Sequence, residues 1–403
     1  MIESREHLIH VLTEAAEIEH NLLCSYLYAA SSLKRAGEGG LTLIQAEAVE
    51  RWRKSVLSVA LQEMAHRACV NNLLIAVGGA PYFDRPNLPV APGYHPGGVV
   101  IRLTPLDAAT LEHFIYLERP DASELRDADR FETETPSGRR EAARGRLTPS
   151  AIDYETIGHL YDALADAFRR LSSRLGEAVL IDAEGRGQLD SNTVKLPDVP
   201  RIVELQSALA AIDQIKEQGE GSSGGHKDSH FDRFRGIRAE WAALLAEDSR
   251  FEPAWPAACD PVMRRPPDRT TRVWVTDPLA ADYLDLGNAL YGTMLVFLSE
   301  AFSGVPETQA KALMAASVEM MEGCAAIGAA LARLPADAGR PGVNAGMSFA
   351  MPRNIGGRPR GTTVLAIERV IELQQGAERI LIGEAREKTL RRLTGARTAL
   401  TKA

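Results

Sequence analysis

Cysteine is scarce in this chain and forms no motif. Cys24, Cys69, Cys259 and Cys324 lie far apart, with no Cys-x-x-Cys pair and no Cys-x-x-Cys-His haem-attachment site, so neither a redox dithiol nor a covalently held haem is expected. They read as reduced cysteines of a cytosolic protein, Cys24 and Cys69 packed in helices. Clustered basic residues are lacking too. With 46 Lys and Arg against 54 Asp and Glu the net charge is −8, and no stretch has the density needed to neutralise phosphates, which argues against nucleic acid and for small molecules as partners. The N-terminal Met-Ile-Glu-Ser-Arg-Glu-His has no basic segment leading into an apolar run. No window reads as the ~18 apolar residues of a membrane span. Export and membrane insertion are therefore not expected, and a cytoplasmic location is.

What is present is helical periodicity. Leu8, Leu12, Ala15, Ile18, Leu22, Leu23 and Leu27 recur at three- and four-residue spacing until Gly37-Glu-Gly-Gly40, which predicts a helix over 4–34. A second is predicted over 43–77, where Trp52, Val56, Val59, Met64 and Leu73 keep the period and Gly78-Gly-Ala-Pro81 ends it. The pair should form an antiparallel hairpin. Residues 81–105 hold six prolines and read as an extended wrap, long enough to be functional or to pack over a site. A short helix is predicted over 106–117. The charge-dense 119–148 reads as a solvated, mobile or disordered connection. Further helices are predicted over 154–175, over 200–217 with Pro200 in its first turn, and over 230–245 beyond the break at Gly219-Glu-Gly-Ser-Ser-Gly-Gly225. Past a Pro-rich linker at 252–278 come apolar helices over 279–303 and 307–334, a Gly/Pro loop, and one terminal helix to about 394. The expected class is all-α, with a bundle over 1–248 and a helical extension over 249–403 that serves packing, oligomerisation or closure of the substrate pocket.

The first two helices carry the residues that speak to chemistry. In Glu63-Met-Ala-His66 the two outer residues are one turn apart on one face, so they can grip one metal ion. The surrounding segment is mostly apolar, where an unpaired charge is costly. Glu19 is flanked in the same way by Ala15, Ala16, Ile18, Leu22 and Leu23. Tyr26, two turns on, is placed to hold a bound carboxylate or water. A di-iron carboxylate bundle takes a carboxylate from each of two helices and Glu-x-x-His from each of the other two, so Glu19, Glu63 and His66 make half a set. The neighbouring Glu17 and His20 lie on other faces. The second half is less regular. Glu155 and His159, and Glu217 or Glu220 with His226 or His230 across the Gly-rich break, are its candidates.

Taken together, Glu17-Ile-Glu-His-Asn-Leu-Leu-Cys-Ser-Tyr-Leu-Tyr28, Glu63-Met-Ala-His66, Asn71-Asn-Leu-Leu-Ile-Ala-Val-Gly-Gly-Ala-Pro81, Thr156-Ile-Gly-His-Leu-Tyr161, Glu217-Gln-Gly-Glu-Gly221 and Ser229-His-Phe-Asp-Arg-Phe234 resemble the ferritin-like domain of the iminophenylpyruvate dimer synthase family. Asn288-Ala-Leu-Tyr291 and Ala345-Gly-Met-Ser-Phe349 extend the resemblance over most of the chain. That family includes the chromopyrrolate and violacein pathway enzymes, which oxidatively couple two imines of indole-3-pyruvate. Those enzymes are much longer, so this chain reads as a stand-alone version. The resemblance implies a ferritin-like four-helix bundle with long Pro-rich loops and a C-terminal helical extension. It implies Glu19, Glu63, His66, Glu220 and His230 as metal ligands, with His159 standing where a di-iron bundle normally draws a carboxylate.

The expected activity is an O2-dependent oxidation, by one or two non-haem iron ions, of an amino-acid-derived imine or enamine in natural-product biosynthesis. Another desaturase or oxygenase reaction on the same scaffold, or iron binding and ferroxidase activity without an organic substrate, are the alternative readings. Tyr26 is the expected catalytic side chain. Tyr82, Arg85 and Arg233 are the expected substrate contacts, because a guanidinium pairs bidentately with a carboxylate. A homo-oligomer, and an upstream amino-acid oxidase supplying an unstable imine, are the expected partners.

Overall fold

Ser4 starts the first helix: its hydroxyl accepts from the His7 amide at 3.1 Å, satisfying one of the donors that a helix start leaves unpaired. Helix α1 runs Arg5–Ser32. Thr42 and Gln45 form a reciprocal capping box that starts α2, Leu43–Ala76. Next come α3 (Ala108–Leu117), α4 (Ile157–Leu175), the single turns α5 (Glu177–Leu180) and α6 (Ser191–Val194), α7 (Leu205–Gly219) and α8 (His230–Glu247). The computed structural model describes residues 2–121, 123–131, 149–219, 228–267, 271–337, 339, 341–353, 355–356 and 362–402.

Helices α1, α2, α7 and α4 neighbour one another in a closed ring, the ferritin-like four-helix bundle, and α8 packs on α2, α3 and α7. The second half adds α9 (Pro278–Ala301), α10 (Glu307–Leu331), α11 (Thr362–Ile380) and α12 (Gly383–Thr401). These four also close a ring, α9 to α10 to α12 to α11, and α10 lies against α1. One apolar core runs from Leu8 in α1 to Leu400 in α12. Among the described residues, α10 is long and apolar enough by composition to cross a membrane; here it is packed by α9 and α12. A two-residue parallel pairing of Pro261–Val262 with Val273–Trp274 interrupts the otherwise helical architecture.

Four expectations are corrected. The helix expected from Pro200 begins at Leu205, and the Pro200 carbonyl instead accepts from Asn72 Nδ2 at 2.8 Å. The 154–175 helix begins at Ile157, because Thr156 caps it by accepting from the His159 amide; Glu155 therefore lies outside it. The single terminal helix is two, α11 and α12, divided at Gly383, whose φ is +57°, with the Ile382 amide donating to the Tyr283 hydroxyl at 2.9 Å. An unbroken apolar period across Ile380-Leu-Ile382 hid that break. Finally, the described part of 119–148 is not loose. Asp127 pairs with His113 Nδ1 at 2.8 Å, and Phe131 stacks flat on that imidazole at 3.9 Å; residues 122 and 132–148 lie outside the described set.

The Pro-rich wrap buries Phe83, Leu88, Val90, Ile101 and Leu103 in the core and is tied to α2 by Arg67 and Asn71. At the other end of α2, Trp52 is buried, stacks on Trp241 of α8 at 5.6 Å and donates from Nε1 to Glu240 at 2.6 Å. This contact clamps α8, and so the start of α8, against α2. Trp52→Ala should lower the unfolding free energy by about 3–5 kcal/mol, read from the midpoint of urea denaturation, whereas Leu61→Ala on the exposed face of the same helix should cost under ~1 kcal/mol.

Candidate metal centre

Five acidic and imidazole side chains meet where α1, α2, α3 and α8 converge, all buried: Glu19, Glu63, His66, Glu118 and His230. They arrive by short-range logic. Glu63 and His66 share a face of α2. Glu19 faces them from α1. Glu118 is the C-terminal cap of α3, and His230 is the first residue of α8, fixed by the Ser229 cap whose hydroxyl accepts from the Asp232 amide at 3.2 Å.

Glu63 is the centre of the arrangement. Its Oε2 lies 2.9 Å from His66 Nδ1 and its Oε1 lies 3.0 Å from His230 Nδ1. His66 Nδ1 is also 3.5 Å from Glu19 Oε2, and His230 Nδ1 is 3.6 Å from Glu118 Oε2. Two groups of ligating atoms result, Glu19, Glu63 and His66 in one and Glu63, Glu118 and His230 in the other. The two imidazoles lie nearly parallel, 5.6 Å apart.

A surrounding set of donors and acceptors holds these side chains. His66 Nε2 meets the Gln218 carbonyl oxygen at 2.8 Å and His230 Nε2 meets that of Gln62 at 3.2 Å. An amide oxygen can only accept, so each Nε2 carries a proton and each Nδ1 is the nitrogen turned toward the carboxylates. The phenol of Tyr161 donates to Glu19, and that of Tyr26 donates to Glu118. Gly219 at the end of α7 permits the close approach, since a Cβ there would sit 3.3 Å from Glu118 Oε2.

The donor set fits a metal. Although His230 Nδ1 is 3.0 Å from Glu63, its geometry makes no hydrogen bond and the atom is fully buried without one. His66 Nδ1 is bonded to Glu63 at 2.9 Å, but in each group the carboxylate oxygens and imidazole nitrogen lie within 4.8 Å of one another, a spacing and donor set that a cation could share. The outer hydrogen bonds to ligand nitrogens and oxygens are those that orient ligands.

Burial, with the Glu63 charge beside it, lifts Glu19 to about 8. Burial would raise Glu63 as well, but His230 and His66 hold it well below the usual carboxylate range. Burial opposes the charge on His66 and His230, yet Glu63 and its neighbours raise His66 well above its ordinary value and His230 to about 9. Both phenols are pushed well above their usual range by burial and nearby carboxylates, so they stay donors.

The expected residues do not all meet here. His159 is exposed on α4, edge-on to Tyr154 at 5.4 Å, and is not brought to the centre. Its place on the helix turns it outward, while Tyr161, two residues on, points in. Glu217 is exposed on α7 and its neighbour Gln218 faces the site; Glu220 and His226 lie outside the described residues. Tyr82 donates to Glu17 at 2.9 Å on another face of α1. Arg85 is buried against Tyr291. Arg233 is paired with Asp228 and donates to Gln62 at 3.1 Å, which steadies the partner of His230. Sequence reasoning missed Glu118, Gln62, Gln218 and the role of Tyr161. Glu118 closes an apolar helix, His113-Phe-Ile-Tyr-Leu-Glu118, and that acidic end of an otherwise apolar run was the available signal.

A narrow cleft of about 30 Å³ opens from the centre. Leu22, Leu117, Ile157 and Ile215 form its apolar walls, and Arg119 and Lys216 stand among its polar lining. Arg119 is held over the Tyr116 ring at 3.7 Å and donates to the Tyr116 carbonyl at 2.6 Å.

A ferritin-like family model matches residues 12–239, more than half of the chain. Two curated relatives are dichlorochromopyrrolate synthase of Lentzea aerocolonigenes, 28% identical over 386 residues that span 87% of this chain and 36% of that protein, and 2-imino-3-(indol-3-yl)propanoate dimerase of Chromobacterium violaceum, 28% identical over 347 residues that span 80% of this chain and 32% of that one. The chain thus spans about a third of the length of the curated relatives it matches. Both relatives bear the names of enzymes, and the distant kinship agrees with the resemblance drawn from the sequence motifs. A crystal structure of a ferritin-like protein from Caulobacter vibrioides aligns with a TM-score of 0.49 at 19% identity, covering 78% of this chain and 94% of that one.

Cations entering this centre must displace the protons of His66, His230 and Glu19, about three per filled site pair at neutral pH. Ferrous affinity should therefore fall as pH drops through about 9 and about 8, the values of His230 and Glu19. Anaerobic titration in weak buffer, with proton release followed by a pH indicator, checks this. Gln218→Leu, which leaves His66 Nε2 without its acceptor, should weaken affinity by about 10–100-fold.

Proposed function

This chain belongs to the ferritin-like family, and we propose that within it the protein is a non-haem, two-iron oxidoreductase that uses O2 to oxidise an amino-acid-derived imine or enamine. The observation that carries the reading is the division of one carboxylate, Glu63, between two imidazoles, each with its own second carboxylate. A ferroxidase needs no fixed cation beside its ligands; here the Arg119 guanidinium, held over the Tyr116 ring, lines the cleft that opens from them.

Glu19, Glu63 and His66 would hold one iron and Glu63, Glu118 and His230 the other. Iron bound there would supply the electrons for dioxygen reduction and leave positions open for it. The remaining work belongs to the chain. Arg119, beside Glu118, is placed to receive the carboxylate of the substrate, and its planar fork suits that partner. Leu22, Leu117, Ile157 and Ile215 exclude water around the reacting carbon and nitrogen. Tyr26 and Tyr161 keep the outer oxygens of Glu118 and Glu19 occupied, so these carboxylates cannot swing away. Gln62 and Gln218 fix both imidazole tautomers. The relative named for 2-imino-3-(indol-3-yl)propanoate supports an imine of an aromatic amino acid as the substrate class, generated by a preceding amino-acid oxidase.

Oxygen uptake by the iron-loaded chain, with the imine of an aromatic amino acid generated in situ, tests this. Uptake should continue past the iron equivalents present and yield an oxidised organic product. Uptake that ends when the iron is oxidised, with no organic product, would instead indicate a ferroxidase. Glu118→Ala should lower turnover by about 100-fold or more, Arg119→Gln should raise KM more than it lowers kcat, and His159→Ala should leave both within about twofold.

A further inference from the structure

The α1–α2 hairpin has a second functional face. Glu19, Leu22 and His66 line the metal cleft, while their chain neighbours His20, Leu23 and Arg67 line cavities on another side of the hairpin. The cleft and these cavities have no lining residue in common. The cavities, of about 120 and 330 Å³, lie between the hairpin and α9–α10 and share the walls Leu57, Met64, Met294 and Met321. Their size and apolar, methionine-rich lining suit a small organic ligand.

Arg35, Arg53, Lys195 and Arg67 stand in their lining with one carboxylate, Glu322, which pairs with Arg392. Arg67 is 4% exposed and donates from Nη2 to the Phe83 carbonyl at 2.9 Å, its guanidinium 4.6 Å over the Phe83 ring. Its Nε is buried with no acceptor. Arg85, also 4% exposed, is held by the Tyr291 hydroxyl at 3.0 Å and by the Phe349 carbonyl, and both Tyr291 and Phe349 stand in the cavity wall. The electrostatic neighbours of the two guanidiniums include Tyr291, Cys24 and the buried His20 and, for Arg67, Arg85 itself. Among the described residues no carboxylate pairs with either. A guanidinium keeps its charge at neutral pH. Tyr291 is pushed up by burial and stays a neutral phenol. Two buried cations without a counter-ion are expensive, and an anion in the adjoining cavity removes that cost.

We infer that this cavity is a second ligand site, separate from the metal cleft, for an organic monocarboxylate with an apolar body: the carboxylate pairs with Arg67 and the body lies among Leu57, Met64 and Met294. Neither a bound metal nor the reaction proposed above enters this argument.

Calorimetric titration of the full chain with dodecanoate, with indole-3-propionate and with the amide of each tests the site. At least one acid should bind once per chain, about tenfold or more tighter than its own amide, the difference expected of a charge-assisted hydrogen bond. Tighter binding of dodecanoate identifies a fatty-acyl occupant and tighter binding of indole-3-propionate an aromatic one; either supports the site. Arg67→Gln should abolish the preference for acid over amide. Ala325→Trp, at an exposed position of α10 that lines the cavity, should block binding without disturbing the core. Arg119→Gln, in the metal cleft, should leave binding unchanged. Equal binding of acid and amide, no binding of either acid in the millimolar range, or binding that survives Ala325→Trp but is lost in Arg119→Gln would each overturn the proposal.

Discussion

Everything chemical in this fold depends on one buried carboxylate. Glu63 offers one oxygen to His66 and the other to His230, and burial removes the water that would otherwise solvate it. A lone carboxylate so placed would take up a proton. Two imidazoles keep it ionised instead, and its charge in turn raises theirs. The cluster is self-consistent in the absence of metal, with protons occupying positions that cations would take. This also explains why residues from four helices must be positioned together: Glu63 and His66 come from α2, Glu19 from α1, Glu118 from the end of α3 and His230 from the start of α8.

The hairpin of α1 and α2 is a partition as well as a scaffold. Consecutive residues diverge by about 100° on a helix, and the chain uses that divergence repeatedly. Glu19 faces the metal centre and His20 faces Tyr291 at 2.6 Å; His66 faces Gln218 and Arg67 faces Phe83. Of these hairpin residues, the carboxylates Glu19 and Glu63 line one side and the Arg67 guanidinium the other. The second ring of helices, α9 to α12, has no group in the cleft beside the candidate metal centre, and α9 and α10 instead wall the cavities that adjoin Arg67 and Tyr291.

The fold was legible where the hydrophobic period was long and its ends were capped. Helices α1 and α2 appear within two residues of their predicted ends because Ser4, Thr42 and the glycine runs punctuate them. The ferritin-like architecture followed from the ligand spacing on those same helices together with the resemblance. Within the candidate centre, Glu19, Glu63, His66 and the carboxylate-holding part assigned to Tyr26 could be read because helical geometry alone relates Glu63 to His66 and Glu19 to Tyr26. His230 was one of two imidazole candidates beyond the Gly-rich break, and the resemblance chose it over His226, since no helical spacing relates either to His66. Glu118 was invisible for a different reason. It arrives as a helix cap, outside any i, i+3 pattern, and the expectation of a second Glu-x-x-His directed the search to α4 and α7. There the relevant groups are Tyr161 and Gln218, neutral residues that a search for ligands passes over. Arg85 was singled out as a carboxylate partner, and the structure places it against Tyr291, outside the lining of the metal cleft.

The central claim is that Glu63 joins two half-sites, so that one chain holds two irons as a coupled pair. Mössbauer spectroscopy of the chain loaded anaerobically with ⁵⁷Fe, and again after exposure to O2, tests it most directly. The account predicts two ferrous sites in equal amount that become an exchange-coupled, diamagnetic ferric pair, with both signals lost in Glu63→Ala. A single ferrous site that oxidises to an isolated high-spin ferric ion, or iron that binds without dependence on Glu63, would contradict it.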